Sequence, residues 1–164
     1  MTAASAAAAN RASRPLGPND VERVIAIDRA LSGHSRRRFF EKRFAAFEAH
    51  PEDFVHIGVV RDGDLCGFAI AHVQRGEFGH EDTVAVLDAI GVDAESRERG
   101  IGQLLMRELG AAVSRSGAQI LHSEAVWTSH DLLRFFDSAG FKLAPRLALQ
   151  RPVAVPLDEA PEEI

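Results

Sequence analysis

The fold of this chain is decided by the stretch VDAESRERGIGQ, residues 92–103. It follows an apolar run, residues 83–92, that is typical of a buried central strand, and it leads into a helical pattern. Gly100 and Gly102 leave the backbone N–H groups unobstructed where that helix begins. The helix dipole adds roughly half a positive charge at the same point. The stretch therefore predicts an anion cradle.

Two arginines in the same stretch, Arg97 and Arg99, add full positive charges to this candidate cradle. The pattern is not a Walker loop, because the Lys-Ser/Thr pair after the second glycine is missing. It is not a dinucleotide fingerprint either, because the third glycine is missing. We expect a site that holds a pyrophosphate without an enclosing metal. The structural alternative is that the two glycines only make a tight turn between strand and helix.

Helical and strand patterns alternate on both sides of the stretch and predict an α/β fold with a mixed sheet. Asp62-Gly63 between two apolar runs predicts a β-hairpin. The predicted order is α-α-β-β-β-α-β-α-β, with a strand–helix–strand crossover behind the hairpin. The predicted helices lie between residues 19–33, 35–51, 101–116 and 129–139, and the predicted strands over 54–60, 65–73, 83–92, 119–126 and 141–151.

Length and composition indicate one domain and exclude several classes of protein. The 164 residues suffice for one substantial core, which we expect over residues 18–152. An Ala-rich disordered tail is expected over residues 1–17, and an acidic tail over residues 153–164. The net charge of -5 argues against nucleic-acid binding, and no apolar run approaches the ~20 residues of a membrane span. The single cysteine excludes a multi-cysteine zinc site and suits the cytoplasm.

Two motifs together resemble the GNAT superfamily of acetyl-CoA-dependent N-acetyltransferases. Arg97-x-x-Gly100-x-Gly102 after a strand is similar to the family's first motif. The segment FFDSAGF, residues 135–141, is similar to the second, whose usual ending is Tyr-Glu-x-x-Gly-Phe. The order of elements over residues 20–151 is also that of the family.

The resemblance implies acetyl-CoA as cosubstrate, no metal, and a central splay between the strands over 83–92 and 119–126. The pyrophosphate would lie on the backbone of the cradle, and the pantetheine arm would pair with the strand just before it. The acyl carbonyl would lie between the two strands, polarised by a backbone N–H. The residues expected to bind the cofactor are Ile90, Gly91, Val92, Arg97, Arg99, Gly100, Ile101, Gly102, Gln103, Ser129 and Phe136.

Two carboxylates are candidates for the base that takes the proton of an attacking amine. Glu124 lies in the strand predicted over 119–126, at what looks like the position of the base in the ribosomal-protein branch of the family. Asp88 interrupts an otherwise apolar strand, where an unpaired charge would be costly. The structural alternatives are a surface charge for Glu124 and a salt-bridge partner for Asp88.

The position of the general acid departs from the family pattern. The tyrosine that often protonates the leaving thiolate is replaced by Phe136, and the chain contains no tyrosine. His122, His130 or water could substitute, or the thiolate could leave unaided. We treat His130 as the third catalytic candidate, with an ordinary surface histidine as its alternative.

The sequence thus predicts a transfer of an acetyl group to a primary amine in a ternary complex. The acceptor, which could be a small-molecule amine, a lysine or a peptide N-terminus, stays open, and so does a longer acyl chain. The alternative is a CoA-binding regulatory module with weak or no catalysis, which the missing tyrosine supports. The short final segment, residues 141–151, leaves an unfinished sheet edge, so we also expect a homodimer.

Overall fold

The computed structural model of the chain describes residues 11–97 and 100–154. Over these residues the chain forms an α/β fold in which helices cover both faces of a five-stranded mixed sheet. The fold class predicted from the sequence is therefore confirmed. The elements are β1 (Arg11–Pro15), α1 (Val21–Ser32), α2 (Arg37–Ala49), β2 (Phe54–Arg61), β3 (Asp64–Arg75), β4 (Thr83–Val92), α3 (Ile101–Arg115), β5 (Ile120–Ser123) and α4 (His130–Ser138).

The strands lie side by side in chain order, β1-β2-β3-β4-β5. The first three pairs are antiparallel, and β4 pairs with β5 in parallel. The β2–β3 hairpin turns at Asp62 and Gly63, which both have positive φ, as the sequence predicts for an Asp-Gly turn. The parallel pair is joined by α3, which makes the crossover that such a connection requires.

Each face of the sheet carries its own hydrophobic core. On one face α1 and α2 cover β3, with Phe40 and Phe68 completely buried and packed edge to face at 5.7 Å between ring centroids. On the other face α3 lies across the sheet through Leu105 and Leu109, which are also completely buried. Ile101, Leu105, Leu109 and Val113 are all buried at helical spacing, so they form the core face of this helix.

The N-terminal segment is the first correction to the sequence-based prediction. Residues 11–15 are not a disordered tail but the edge strand β1, which pairs with β2 from Arg11↔Arg61 to Pro15↔Ile57. Every residue of β1 is exposed, so the strand is held by its main-chain ladder rather than by an apolar face. Residues 1–10 of the expected tail lie outside the described residues.

The C-terminal segment is the second correction. The structure forms no strand within residues 141–151, although the alternation of apolar residues there predicts one. The strand predicted over 119–126 is also shorter, since β5 ends at Ser123. Most of the expected acidic tail, residues 155–164, lies outside the described part of the chain.

The arginine-rich start of α2 ties this helix to its neighbours. Arg36 reaches back to the buried Asp28 of α1, with 3.0 Å between Nε and Oδ2, and Arg37 pairs with Glu22 of α1. The guanidinium of Arg36 also lies 5.3 Å from the ring centroid of Phe39. The Arg36 and Arg37 side chains therefore hold α2 against α1. In the described part of the chain, no helix is long and apolar enough to cross a membrane.

A buried histidine links α2 to the sheet. His56 of β2 is 2% exposed and stacks on Phe47, with 4.5 Å between ring centroids. Neither ring nitrogen has a hydrogen-bond partner among the described residues. Burial lowers the pKa of His56 to about 4, because the charged ring would have to give up its hydration.

We therefore predict a loss of stability in mild acid that depends on His56. Above pH 6.5 the ring is neutral in both the folded and unfolded chain. Between pH 6.5 and about 4 only the unfolded chain binds the proton, so the free energy of unfolding falls by up to about 3 kcal/mol over this range. Below this range both states bind the proton, and His56 causes no further loss.

Urea unfolding at pH 7 and pH 4.5 measures this effect. Between pH 7 and pH 4.5 the free energy of unfolding of the wild-type protein should fall by about 2–3 kcal/mol more than that of a His56→Phe variant. The variant keeps an aromatic ring at this position, but that ring does not titrate. Equal losses in the two proteins would contradict the prediction.

Candidate functional site

The parallel pair β4–β5 separates halfway along β4. The ladder runs from Val84↔Ile120 to Leu87↔Ser123 and stops there, whereas β4 continues along β3 to Val92↔Gly67. At the point of separation the hydroxyl of Ser123 donates to the carbonyl oxygen of Leu87, with 3.1 Å between the oxygens. Residues 88–92 of β4 therefore have an open side beyond this bond. The splay that the resemblance implies is present.

A β-bulge in β4 lies at the same point. The partners of Ile70 and Ala71 on β3 are Ala89 and Leu87, so Asp88 is the extra residue. A bulge aims an additional side chain at one face of the sheet and is common beside active sites. Here it directs the Asp88 carboxylate toward α2.

The Asp88 carboxylate is buried and held by two partners. Its side chain is 9% exposed. Arg43 of α2 donates to Oδ1 at 3.2 Å, and the Nδ1–H of His72 donates to Oδ2 at 2.8 Å. The other ring nitrogen of His72 lies 3.2 Å from the Gln74 amide nitrogen, which fixes the ring orientation. The salt-bridge interpretation of Asp88 is thus satisfied by the structure, and its role as a base stays a prediction.

The candidate cradle lies where β4 leads into α3. Gly100 is the N-cap of α3 with φ +72, a left-handed conformation that favours glycine. Because glycine carries no side chain, it cannot cap the first-turn N–H groups of the helix as serine or aspartate would. Those donors, on Ile101, Gly102 and Gln103, therefore have no partner within the helix and suit an anionic ligand.

Two other glycines at the site are required by packing. A Cβ on Gly102 would lie 2.8 Å from the Phe135 ring of α4. A Cβ on Gly91 would lie 2.7 Å from the Phe68 ring and 3.0 Å from Leu31 of α1. The absence of these side chains lets helices approach the cradle and β4 closely. A Cβ on Gly100, by contrast, would have no described residue within 4 Å beyond its chain neighbours, so only the backbone conformation calls for glycine there.

The loop between β4 and α3 is anchored at one end and charged at the other. Asp93 forms an ion pair with Arg23 of α1, and its N–H donates to the Cys66 carbonyl at 2.9 Å. Ser96 is 1% exposed. Arg97 is exposed and has no ion pair among the described residues, so its charge is available to a ligand. Arg99, predicted to act with it, lies outside the described residues.

The remaining candidates follow β5 in the chain or lie on α3 and α4. Glu124 is the first residue after β5 and is exposed, not a strand residue as predicted. Ser129 is the N-cap of α4 but makes no side-chain capping bond, and the exposed His130 begins the helix. Gln103 connects the cradle to α4, because its amide donates to the Ser138 hydroxyl at 3.2 Å.

Phe136, which stands where the family often has tyrosine, belongs to the core. Its side chain is 7% exposed, and its ring centroid lies 4.8 Å from that of Phe141. Ile90 and Val92 are half-buried and pack on the same core as Phe136. Their contacts with a cofactor stay predictions.

Sequence reasoning missed Arg43, His72 and Gln74 as neighbours of Asp88. An aspartate inside an apolar strand does signal that a cation must lie nearby. The chain offers many arginines and histidines, however, and only the bulge and the position of α2 select these. The sequence predicts for His122 only a possible role as proton donor to the thiolate. In the structure its Nε2 is buried and has no hydrogen-bond partner among the described residues.

The comparison with protein families agrees with the motifs. The model of the acetyltransferase (GNAT) family matches residues 22–141, which contain both motifs and the splay. A search of curated proteins found no matching relative.

Solved structures share the whole fold. The aminoglycoside N-acetyltransferase AAC(6')-Iy in complex with CoA matches with a TM-score of 0.72 at 17% identity, covering 88% of this chain and 96% of the other. A putative acetyltransferase from Agrobacterium tumefaciens matches with 0.71 at 16% identity, covering 86% and 99%. Glucosamine-6-phosphate N-acetyltransferase from Arabidopsis thaliana matches with 0.68 at 13% identity, covering 88% and 99%.

These similarities confirm the fold that the sequence motifs indicate, and the family model covers most of the chain. The protein belongs to the GNAT family of acetyltransferases.

Proposed function

We propose that the chain transfers the acetyl group of acetyl-CoA to a primary amine while both substrates are bound. The observation that carries this proposal is the splay of β4 and β5 directly before the glycine-capped start of α3. A strand whose main-chain groups are unpaired on one side is followed along the chain by an uncapped helix N-terminus. This order suits a ligand with amide groups at one end and a diphosphate at the other.

In this proposal the diphosphate of the substrate lies on the first-turn N–H groups of α3. Arg97, exposed beside them, adds a full charge. The amide-bearing arm of the substrate pairs with residues 88–92 of β4, whose side toward β5 is open. The thioester carbonyl then lies between the strands, where a backbone N–H can stabilise the oxyanion that develops during attack.

The chemical step forms one bond and breaks another. The neutral amine attacks the thioester carbon, the new N–C bond forms, and the C–S bond breaks as the thiolate leaves. The amine proton passes to a carboxylate, directly or through water, and a proton returns to the thiolate. Holding both reactants in one geometry supplies much of the rate.

The two candidate bases differ in their surroundings. Both oxygens of Asp88 already accept from Arg43 and His72, so this carboxylate also holds α2 on the sheet. Glu124 is exposed and has no ion pair among the described residues. His130, exposed at the start of α4, is the proposed donor to the thiolate.

The charge of the chain favours a cationic acceptor. The net charge is -5, and two of the three arginines of α2, Arg37 and Arg43, are paired with carboxylates, which reduces the local positive charge that would oppose a cation. The structural neighbours include enzymes named for aminoglycosides and for glucosamine 6-phosphate. We therefore propose a small amine, an amino sugar or a lysine-bearing peptide as the acceptor class, and the cytoplasm as the compartment, since the chain has a single cysteine.

A second candidate function is a CoA-binding module without efficient catalysis. The observation that favours it is the absence of any tyrosine, with Phe136 buried in the core at the position of the family's usual acid. Incubation with acetyl-CoA and a panel of amines, followed by detection of free thiol, separates the two. Thiol release that requires an amine supports the enzyme, and bound CoA without release supports the module.

We predict that Arg97→Ala weakens CoA binding about tenfold, because one charge-assisted contact with phosphate is lost. Isothermal titration calorimetry with CoA measures the dissociation constant. Arg115→Ala, at the other end of α3, is the matched control and should leave it unchanged. If Arg97→Ala bound CoA as tightly as the wild-type protein and the Arg115→Ala control, the result would contradict the proposed cradle.

We predict opposite signatures for the two carboxylates. If Glu124 takes the proton, Glu124→Gln lowers kcat about 10²–10⁴-fold and leaves the melting temperature unchanged, because the side chain is exposed. Asp88→Asn, which leaves Arg43 beside a neutral amide, lowers stability by about 1–3 kcal/mol whether or not Asp88 is the base.

Steady-state rates with the best amine and thermal unfolding together give the readout. Glu48→Gln, an exposed carboxylate on α2, is the control for loss of one charge. A full rate in the Glu124 and Asp88 variants alike would exclude both residues as the base.

A further inference from the structure

The loop that carries Arg97 begins at an aspartate, which is an unfavourable residue for a site that binds a diphosphate. Residues 93–99 contain three acidic residues and two arginines, so the loop by itself is not a basic segment. A carboxylate beside a bound anion is repelled by it unless a cation pairs with the carboxylate. In this structure the cation comes from another element, because Arg23 of α1 forms an ion pair with Asp93.

Arg23 connects α1 to two neighbouring parts of the chain. Its Nε–H donates to the main-chain carbonyl of Leu65 on β3, with 3.0 Å between nitrogen and oxygen, and its Nη2 donates to the carboxylate of Asp93. The guanidinium is planar and presents its donors as a rigid fork. The contact with Leu65 therefore fixes the direction in which the other donor reaches Asp93.

The short stretch of β3 over residues 65–67 holds both ends of the candidate cradle. Besides the guanidinium contact, the Cys66 carbonyl accepts from the N–H of Asp93 at 2.9 Å. Gly67 lies against the start of α3, where an added Cβ would be 2.8 Å from the Ile101 side chain. The loop between β4 and α3 is thus tied to the same three residues where it begins and where it ends.

A single 3₁₀ turn connects Asp93 to Arg97. The Ser96 N–H donates to the Asp93 carbonyl at 2.9 Å, and the Ser96 side chain is buried. The Arg97 N–H donates to the Ala94 carbonyl at 3.4 Å. The backbone of Arg97 is therefore placed by a series of contacts that starts at Arg23.

We propose that Arg23 is a positioning residue for the diphosphate of the cosubstrate. It holds Asp93, and through the turn it sets the position from which Arg97 meets the ligand. This inference rests on the proposed function, since it needs the CoA diphosphate at the start of α3. Arg23 precedes Asp93 by 70 residues, so the motif around the two glycines does not contain it.

A role of Arg23 as one more positive charge near the anion gives a different set of expectations. In that case removal of the Asp93 carboxylate would leave Arg23 unpaired and would tighten CoA binding. If Arg23 acts by holding Asp93, removal of either partner weakens binding. Removal of both partners then weakens binding no more than removal of one, because each single change already breaks the same contact.

Isothermal titration calorimetry with CoA as the probe separates the two roles. We expect Arg23→Ala, Asp93→Ala and the double variant each to weaken CoA binding about fivefold. Arg23→Lys keeps the charge without the fork and should lose about twofold. The matched control is Arg29→Ala, which removes an exposed arginine of the same helix and should leave the affinity unchanged. Tighter binding by Asp93→Ala, or losses that multiply in the double variant, would overturn the proposal.

Amide hydrogen exchange in the protein without CoA tests the contact independently of binding. In Arg23→Ala the N–H groups of Asp93 and Ser96 should exchange at least about tenfold faster than in the wild type. The N–H of Leu109, in the buried part of α3, should exchange at the wild-type rate, which shows that the variant is folded.

The two measurements distinguish failure of this proposal from failure of the proposed function. Unchanged exchange at Asp93 and Ser96 in a protein that binds CoA would overturn the role of Arg23 alone. A wild-type protein that binds no CoA would refute the proposed function, and the role of Arg23 at the diphosphate with it.

Discussion

A parallel strand pair that stops partway leaves main-chain N–H and C=O groups without partners, and folded proteins seldom bury such groups unsatisfied. In this protein the Ser123 hydroxyl closes the ladder at Leu87, and β3 satisfies the other side of β4 as far as Val92. The groups left over face the gap between β4 and β5. A ligand that carries its own amides can pair with them as a strand would, and this is the physical basis of the proposed acetyl-CoA site.

The bulge that carries Asp88 imposes a second constraint. A carboxylate with 9% side-chain exposure needs compensation, and Arg43 and His72 supply it from two different elements. The same contacts fix α2 over the sheet, beside the open part of β4. Stability and the position of α2 beside the open part of β4 are therefore coupled through one side chain, so a change at Asp88 should affect both.

The sequence predicts the family, the hairpin and the glycine turn that begins α3, because these depend on local signals: Asp-Gly, the glycines at 100 and 102, and apolar periodicity. It misses β1, since a strand that is exposed along its length shows no apolar pattern. It predicts a strand over 141–151 that the structure does not contain, because an alternation of apolar residues does not specify a neighbouring strand to pair with. The partners of Asp88 were equally out of reach, since they come from distant parts of the chain.

The lone cysteine has a consequence for the proposed reaction, in which the donor is a thioester. Cys66 is 4% exposed, its thiol donates to the Val59 carbonyl at 3.3 Å, and burial raises its pKa. A thiolate in reach of the donor would compete with the amine and take the acetyl group onto the protein itself. With its one thiol buried in the core, this chain offers no such competing thiolate to the thioester donor that we propose.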